Sequence, residues 1–72
     1  MNSTIGRNVR RLHKYSGYSQ AEFAQRAGAS QAWICRIEIG DENPTLTSMR
    51  RIVRALGVGI AELLQERPEE VV

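Results

Sequence analysis

Helix stop and start signals recur along this chain at intervals that leave room only for a bundle of short helices. Gly17 is followed by Ser19, Gly28 by Ser30 and Gly40 by Thr45, and Gly57 precedes the last apolar stretch. Glycine commonly closes a helix, and serine or threonine commonly opens one. Between these signals the apolar residues recur at helical spacing, and no stretch alternates as a strand would. The pattern predicts an all-α fold, a compact five-helix bundle, with no repeat and no low-complexity tract.

The first helix is expected over Ser3 to Ser16, with Ile5, Val9, Leu12 and Ser16 on one buried stripe and Arg7, Arg10, Arg11 and Lys14 off it. The second runs from Ser19 to Ala27 with Phe23, Ala24 and Ala27 as its apolar face. Ser19 followed by Glu22 is a capping box, in which hydroxyl and carboxylate each satisfy a free backbone amide. The third spans Gln31 to Ile39 behind Ser30, with Ile34 and Ile37 directed against Leu12, Phe23, Ala24 and Ile52. Asp41-Glu42-Asn43-Pro44 reads as a turn. Thr45 opens the fourth helix, which places Leu46, Met49, Ile52, Val53 and Leu56 inward and leaves Arg50, Arg51 and Arg54 outside. The fifth is a short helix from Ile60 to Gln65. One domain over residues 1–67 is expected, with a frayed tail over 68–72.

Size and composition narrow the chemistry. The chain has 72 residues, of which 42% are apolar and 25% charged, a globular balance. No apolar run is long enough for a membrane span and no secretory signal opens the chain, so the expected location is cytoplasmic. With Cys35 the only cysteine and His13 the only histidine, neither an internal disulfide nor a His-based metal cage can be built. No cofactor or metal is expected, and no acid–base pair or phosphate loop points to an enzyme. The charge is uneven. Residues 1–36 hold six cations against Glu22 alone, whereas residues 37–72 carry a surplus of acids, and nine of the ten cations are arginine. Arginine suits forked contacts with phosphate or guanine. Charge by itself leaves two readings open, a polyanion partner or an ordinary solvated surface.

Segments two and three carry the functional signal. Joined through Gly28-Ala29-Ser30, they form a helix-turn-helix, with Ala24 permitting close approach and Gly28 the sharp turn. The second of the pair then projects with its outer face free, and such a helix fits the major groove of DNA with its first residues nearest the base edges.

The run S-Q-A-E-F-A-Q-R-A-G-A-S-Q-A-W-I-C-R-I-E-I-G from Ser19 to Gly40 resembles the Cro/repressor-type, or XRE-like, helix-turn-helix family of bacteria and phages. The likeness begins at Ile5-Gly6 and continues through N-P-T-L (Asn43 to Leu46) and A-L-G-V (Ala55 to Val58). The resemblance implies a lambda-repressor-like DNA-binding domain and a homodimer on a near-palindromic operator. It implies that Gln31, Ala32, Cys35 and Arg36 face the bases, and that Ser19, Gln20, Trp33 and Arg10 face phosphates. Gln can pair with adenine, Arg can fork onto guanine and the Ala32 methyl can pack on thymine. Trp33 has a second reading, packing against the second helix.

The chain departs from the family pattern in three places. His13 stands where the family usually has arginine, so its implied pairing with Glu38 becomes weaker and pH-sensitive. Asp41 and Glu42 occupy a loop that is often basic. Gly59 replaces the usual polar cap of the fifth helix. Cys35 is read as a small residue at the groove rather than a redox or metal switch. His13 is read as a structural partner rather than a catalyst, and Arg50, Arg51 and Arg54 as a solvated helix face rather than a second nucleic-acid site.

The leading expectation is a sequence-specific transcriptional regulator with double-stranded DNA and a second copy of itself as partners. It has no membrane partner and no room for a small-molecule sensor, like a phage-type repressor or a restriction–modification controller protein. The alternative is an antitoxin or protein-interaction module in which DNA binding is secondary. Val58, Ile60, Leu63 and Leu64 offer more apolar surface than one short helix can bury, so Leu63 is assigned to the core and Ile60 and Leu64 to a dimer interface.

Overall fold

The computed structural model describes residues 4–66. Its elements are α1 (Thr4–Tyr15), α2 (Gln20–Ala27), α3 (Gln31–Glu38), α4 (Leu46–Leu56) and α5 (Ile60–Leu64). Ser3 and the tail expected to fray over 68–72 lie outside the described residues.

The helix ends follow from local chemistry. The Ser19 hydroxyl accepts from the Glu22 amide at 3.0 Å, while the Glu22 carboxylate accepts from the Ser19 amide at 2.9 Å, completing the box at the head of α2. Gly28 ends that helix at φ 69°, ψ 35°, a left-handed conformation costly for any residue with a Cβ. Ala29 N–H then reaches back to the Ala24 carbonyl at 2.9 Å. Ser30 caps α3 by accepting from the Trp33 amide at 3.1 Å, and Thr45 caps α4 by accepting from the Ser48 amide at 3.2 Å. Gly59 offers α5 no side-chain cap.

The core is one cluster that includes Val9, Leu12, Phe23, Ile34, Ile37, Ile52 and Leu63, with Ala24 and Ala27 supplying the small surface of α2. α1 packs on α3, α4 and α5, and α2 packs on α3 and α4. Asn8 is buried on α1 and its amide donates to the Leu63 carbonyl at 2.7 Å and the Gln65 carbonyl at 2.9 Å. It thereby takes up two backbone acceptors at the end of α5 that helix geometry leaves open.

Several expected details shift. Ser16 is exposed rather than part of the buried stripe, because α1 closes at Tyr15 and the chain swings away through Gly17. Leu46 is 53% exposed, since the first turn of α4 lies beyond the core cluster that buries Ile52, Val53 and Leu56. α3 ends at Glu38, with Ile39 as its half-exposed cap, and α5 ends at Leu64 with Gln65 already extended. Leu63 is fully buried and Leu64 is 51% exposed, whereas Ile60 packs against the core and offers less open surface than the sequence suggested.

Candidate nucleic-acid interface

α3 has two chemically distinct sides. Ile34, Ile37 and Glu38 are buried, while Gln31, Ala32, Cys35 and Arg36 are exposed. Those four positions fall one and four residues apart, so they share a stripe along the helix. The capped N-terminus of α3 begins at Gln31, two residues past the Ala29 turn. Trp33 is half-buried and packs against the core cluster.

Beneath this stripe a chain of polar contacts links three helices. His13 Nδ1 on α1 and Glu38 Oε2 on α3 lie 2.7 Å apart, both side chains almost fully buried, and neither atom makes a hydrogen bond among the described residues. The His13 ring stacks on Phe23, with centroids 5.7 Å apart and planes at 7°. The other Glu38 oxygen accepts from Gln20 Nε2 at 3.2 Å, and Gln20 Oε1 accepts from Gln31 Nε2 at 3.3 Å. A carboxylate only accepts, so Gln20 must turn its amino group toward Glu38 and its oxygen toward Gln31. Gln31 thereby keeps one N–H and its oxygen without a partner among the described residues, one donor and one acceptor of the kind an adenine edge takes. Sequence reasoning assigned Gln20 to phosphate and did not see that it also orients Gln31.

Arg10, Lys14, Gln20 and Cys35 come together around a groove of about 360 Å³ that runs over the His13–Glu38 pair. Two cations, one thiol and the first turn of α2 thus face one side. Ser19 is exposed at that turn, and its hydroxyl is engaged by the capping box. Positive charge beside the amide-rich start of a helix suits an anion. Glu22 holds its carboxyl below the ordinary carboxylate range, first through the Ser19 backbone N–H, then the Ser19 hydroxyl, with Arg26 adding to both.

Arg36, at the far end of the stripe, donates from Nε to Glu42 at 3.2 Å. Nothing in the periodicity shows that contact, because it crosses the turn after α3. At the other end of α2, Arg26 sits over the Tyr18 ring at 4.5 Å. With Arg51 and Arg54 it borders a cleft of about 450 Å³. The cations of α4 stay exposed. Among the described residues no group of His, Cys, Asp or Glu is placed to hold a metal ion, and no helix is long and apolar enough to cross a membrane.

Comparison with known proteins points the same way. The model of the helix-turn-helix domain family matches residues 4–65. The uncharacterized HTH-type transcriptional regulator y4dJ of Sinorhizobium fredii is 35% identical over 69 residues, spanning 96% of this chain and 90% of that protein. The HTH-type transcriptional regulator SinR of Bacillus subtilis is 30% identical over 66 residues, and the chain spans 60% of its length. Among solved structures, SinR in complex with DNA superposes with a TM-score of 0.81 at 29% identity, covering 85% of this chain and 98% of that one. The restriction-modification controller protein C.AhdI from Aeromonas hydrophila superposes with a TM-score of 0.80 at 27% identity, covering 83% and 91%.

Proposed function

The chain belongs to the helix-turn-helix domain family, and on that premise we propose that it is a transcriptional regulator that binds a near-palindromic operator sequence-specifically as a homodimer, with α3 in the major groove. The observation that carries this reading is the exposed stripe Gln31, Ala32, Cys35 and Arg36, with Gln31 held in one orientation by Gln20. Gln31 then reads adenine, Arg36 reads guanine, and Ala32 and Cys35 lie against the groove floor. Ser19, Gln20, Arg10 and the Trp33 indole N–H serve phosphates, where the start of α2 and the cations around its groove favour an anion.

The homodimer follows from the small reach of one helix. A single α3 covers only a few base pairs, and two copies with half-sites ~34 Å apart reach useful affinity. Leu64 with Ile60 is the proposed interface, and it rests on the half-exposed Leu64 side chain beside the buried Leu63. The proposed DNA-binding unit is residues 1–67, acting in the cytoplasm.

Selection of a preferred duplex from a randomised pool, followed by affinity measurements on variants, tests the assignment. Arg36→Ala should lose about 1–3 kcal/mol on the selected duplex and relax one base position, with little change on random DNA. Gln20→Ala should weaken both kinds of duplex and also relax the base read by Gln31. If neither variant alters sequence preference, α3 is not the reading element.

A further inference from the structure

Arg36 extends from the last turn of α3, and Glu42 follows it across the turn at Gly40. That turn folds back on the helix, because Asp41 N–H donates to the Arg36 carbonyl at 2.8 Å and Gly40 N–H to the Ile37 carbonyl at 3.1 Å. Glu42 is thereby brought beside the Arg36 side chain, and its Oε1 accepts from Arg36 Nε at 3.2 Å. The contact is made by Nε and by no other nitrogen of the group. The two terminal nitrogens have no partner among the described residues, and the side chains are 50% and 38% exposed.

We propose that Glu42 is the positioning residue of Arg36: it holds the guanidinium by Nε so that the two terminal nitrogens are presented end-on to guanine O6 and N7, and it opposes binding to duplexes that lack that guanine. The inference rests on the reading of α3 as the major-groove helix.

Two physical effects of one carboxylate act in opposite directions. Arginine has five N–H donors in a fixed plane, and one contact at Nε fixes the rotation of that plane while leaving the forked end free. Prior ordering lowers the entropy lost when a long side chain is immobilised on a base. An exposed pair of this kind is weak in water, so it biases the side chain rather than locking it. It strengthens when the groove closes over it and water leaves. The same negative charge is repelled by phosphates on every duplex, cognate or not. On the cognate site the gain in orientation exceeds that repulsion, whereas on random DNA only the repulsion remains. An acid in a loop where phosphate contact would favour a base is thus a source of selectivity.

The test compares the parent, Glu42→Ala, Glu42→Gln and the double variant Arg36→Ala/Glu42→Ala. Each is titrated against the duplex the parent selects from a randomised pool and against a random-sequence duplex. Glu42→Ala should bind the selected duplex several-fold more weakly and the random duplex several-fold more tightly. Glu42→Gln keeps an acceptor oxygen for Nε and loses the charge, so it should tighten on both. In the Arg36→Ala background, Glu42→Ala should only tighten. Without DNA, the Arg36 Nε–H resonance should be ordered in the parent and in Glu42→Gln, and averaged in Glu42→Ala. If Glu42→Ala tightens on both duplexes in equal proportion, the carboxylate is a repeller alone and the proposal fails. It fails also if neither affinity changes, or if the resonance is the same in all three proteins. A parent that selects no sequence overturns the major-groove reading itself, and this inference with it.

Discussion

Ile37 sits with its side chain wholly excluded from water, one residue before the Glu38 carboxylate that His13 and Gln20 share. Packing and polar organisation therefore meet at one position on α3. Replacing Ile37 with alanine removes buried methyl groups that neighbours cannot fully replace, at a cost of about 2–5 kcal/mol. For a domain of this size that is a large part of the total stability. A denaturant melt should show the midpoint falling sharply, and a melt that overlays the parent would mean that α3 is not anchored as described. Glu38 is the complementary case. One of its oxygens accepts from the Gln20 amide, while the other lies beside the imidazole without a hydrogen bond, so its burial is only half compensated.

At the scale of the helix, the clearest contrast is between α2, which is capped on both sides of its first turn, and α5, which is not. The lowered pKa of Glu22 makes the α2 cap sensitive to acid. A carboxyl whose pKa is depressed by folding contributes stability that is complete above the ordinary carboxylate range and is lost as pH falls through the lowered value. The difference in melting temperature between the parent and Glu22→Gln should therefore be present at neutral pH and close in acid. A difference that does not vary with pH would detach Glu22 from the cap. α5 can be improved in the same terms. Gly59 has φ −88° and ψ 161°, a conformation open to any residue, and a Cβ there would meet nothing within 4 Å. Glu62 already stands three residues on. Gly59→Ser should complete a capping box and raise stability by about 0.5 kcal/mol, measured by thermal melting. These boundaries were legible in the sequence because caps and glycine stops are local chemistry. Leu46 was misread because periodicity says which side of a helix is apolar and not how far the neighbouring core extends. The Gln20–Gln31 contact and the Arg36–Glu42 pair were missed because each joins residues on different segments, where spacing along one helix carries no information.

For the molecule as a whole, the proposed dimer is tested at Leu64. Leu64→Glu changes a half-exposed side chain and leaves the buried Leu63 in place, so the single domain should remain helical by circular dichroism while sedimentation shifts to one chain. If the variant still sediments as a dimer, the two-fold axis lies elsewhere. The whole-molecule link that no local pattern announces is Asn8, whose partners at Leu63 and Gln65 are 55 and 57 residues away in sequence. Asn8 is one of two polar residues buried on α1, with His13, and the carbonyls that satisfy it are not visible in the sequence. That clasp has a consequence in time. On the ribosome α1 emerges before the end of α5, so the Asn8 amino group lacks both carbonyls until almost the entire bundle has been synthesised, while its oxygen can already accept from Arg11 on the same helix. α3 is thus translated well before the bundle that steadies it can close, and a nascent chain halted before Leu63 holds the exposed side of α3 on an unfinished scaffold.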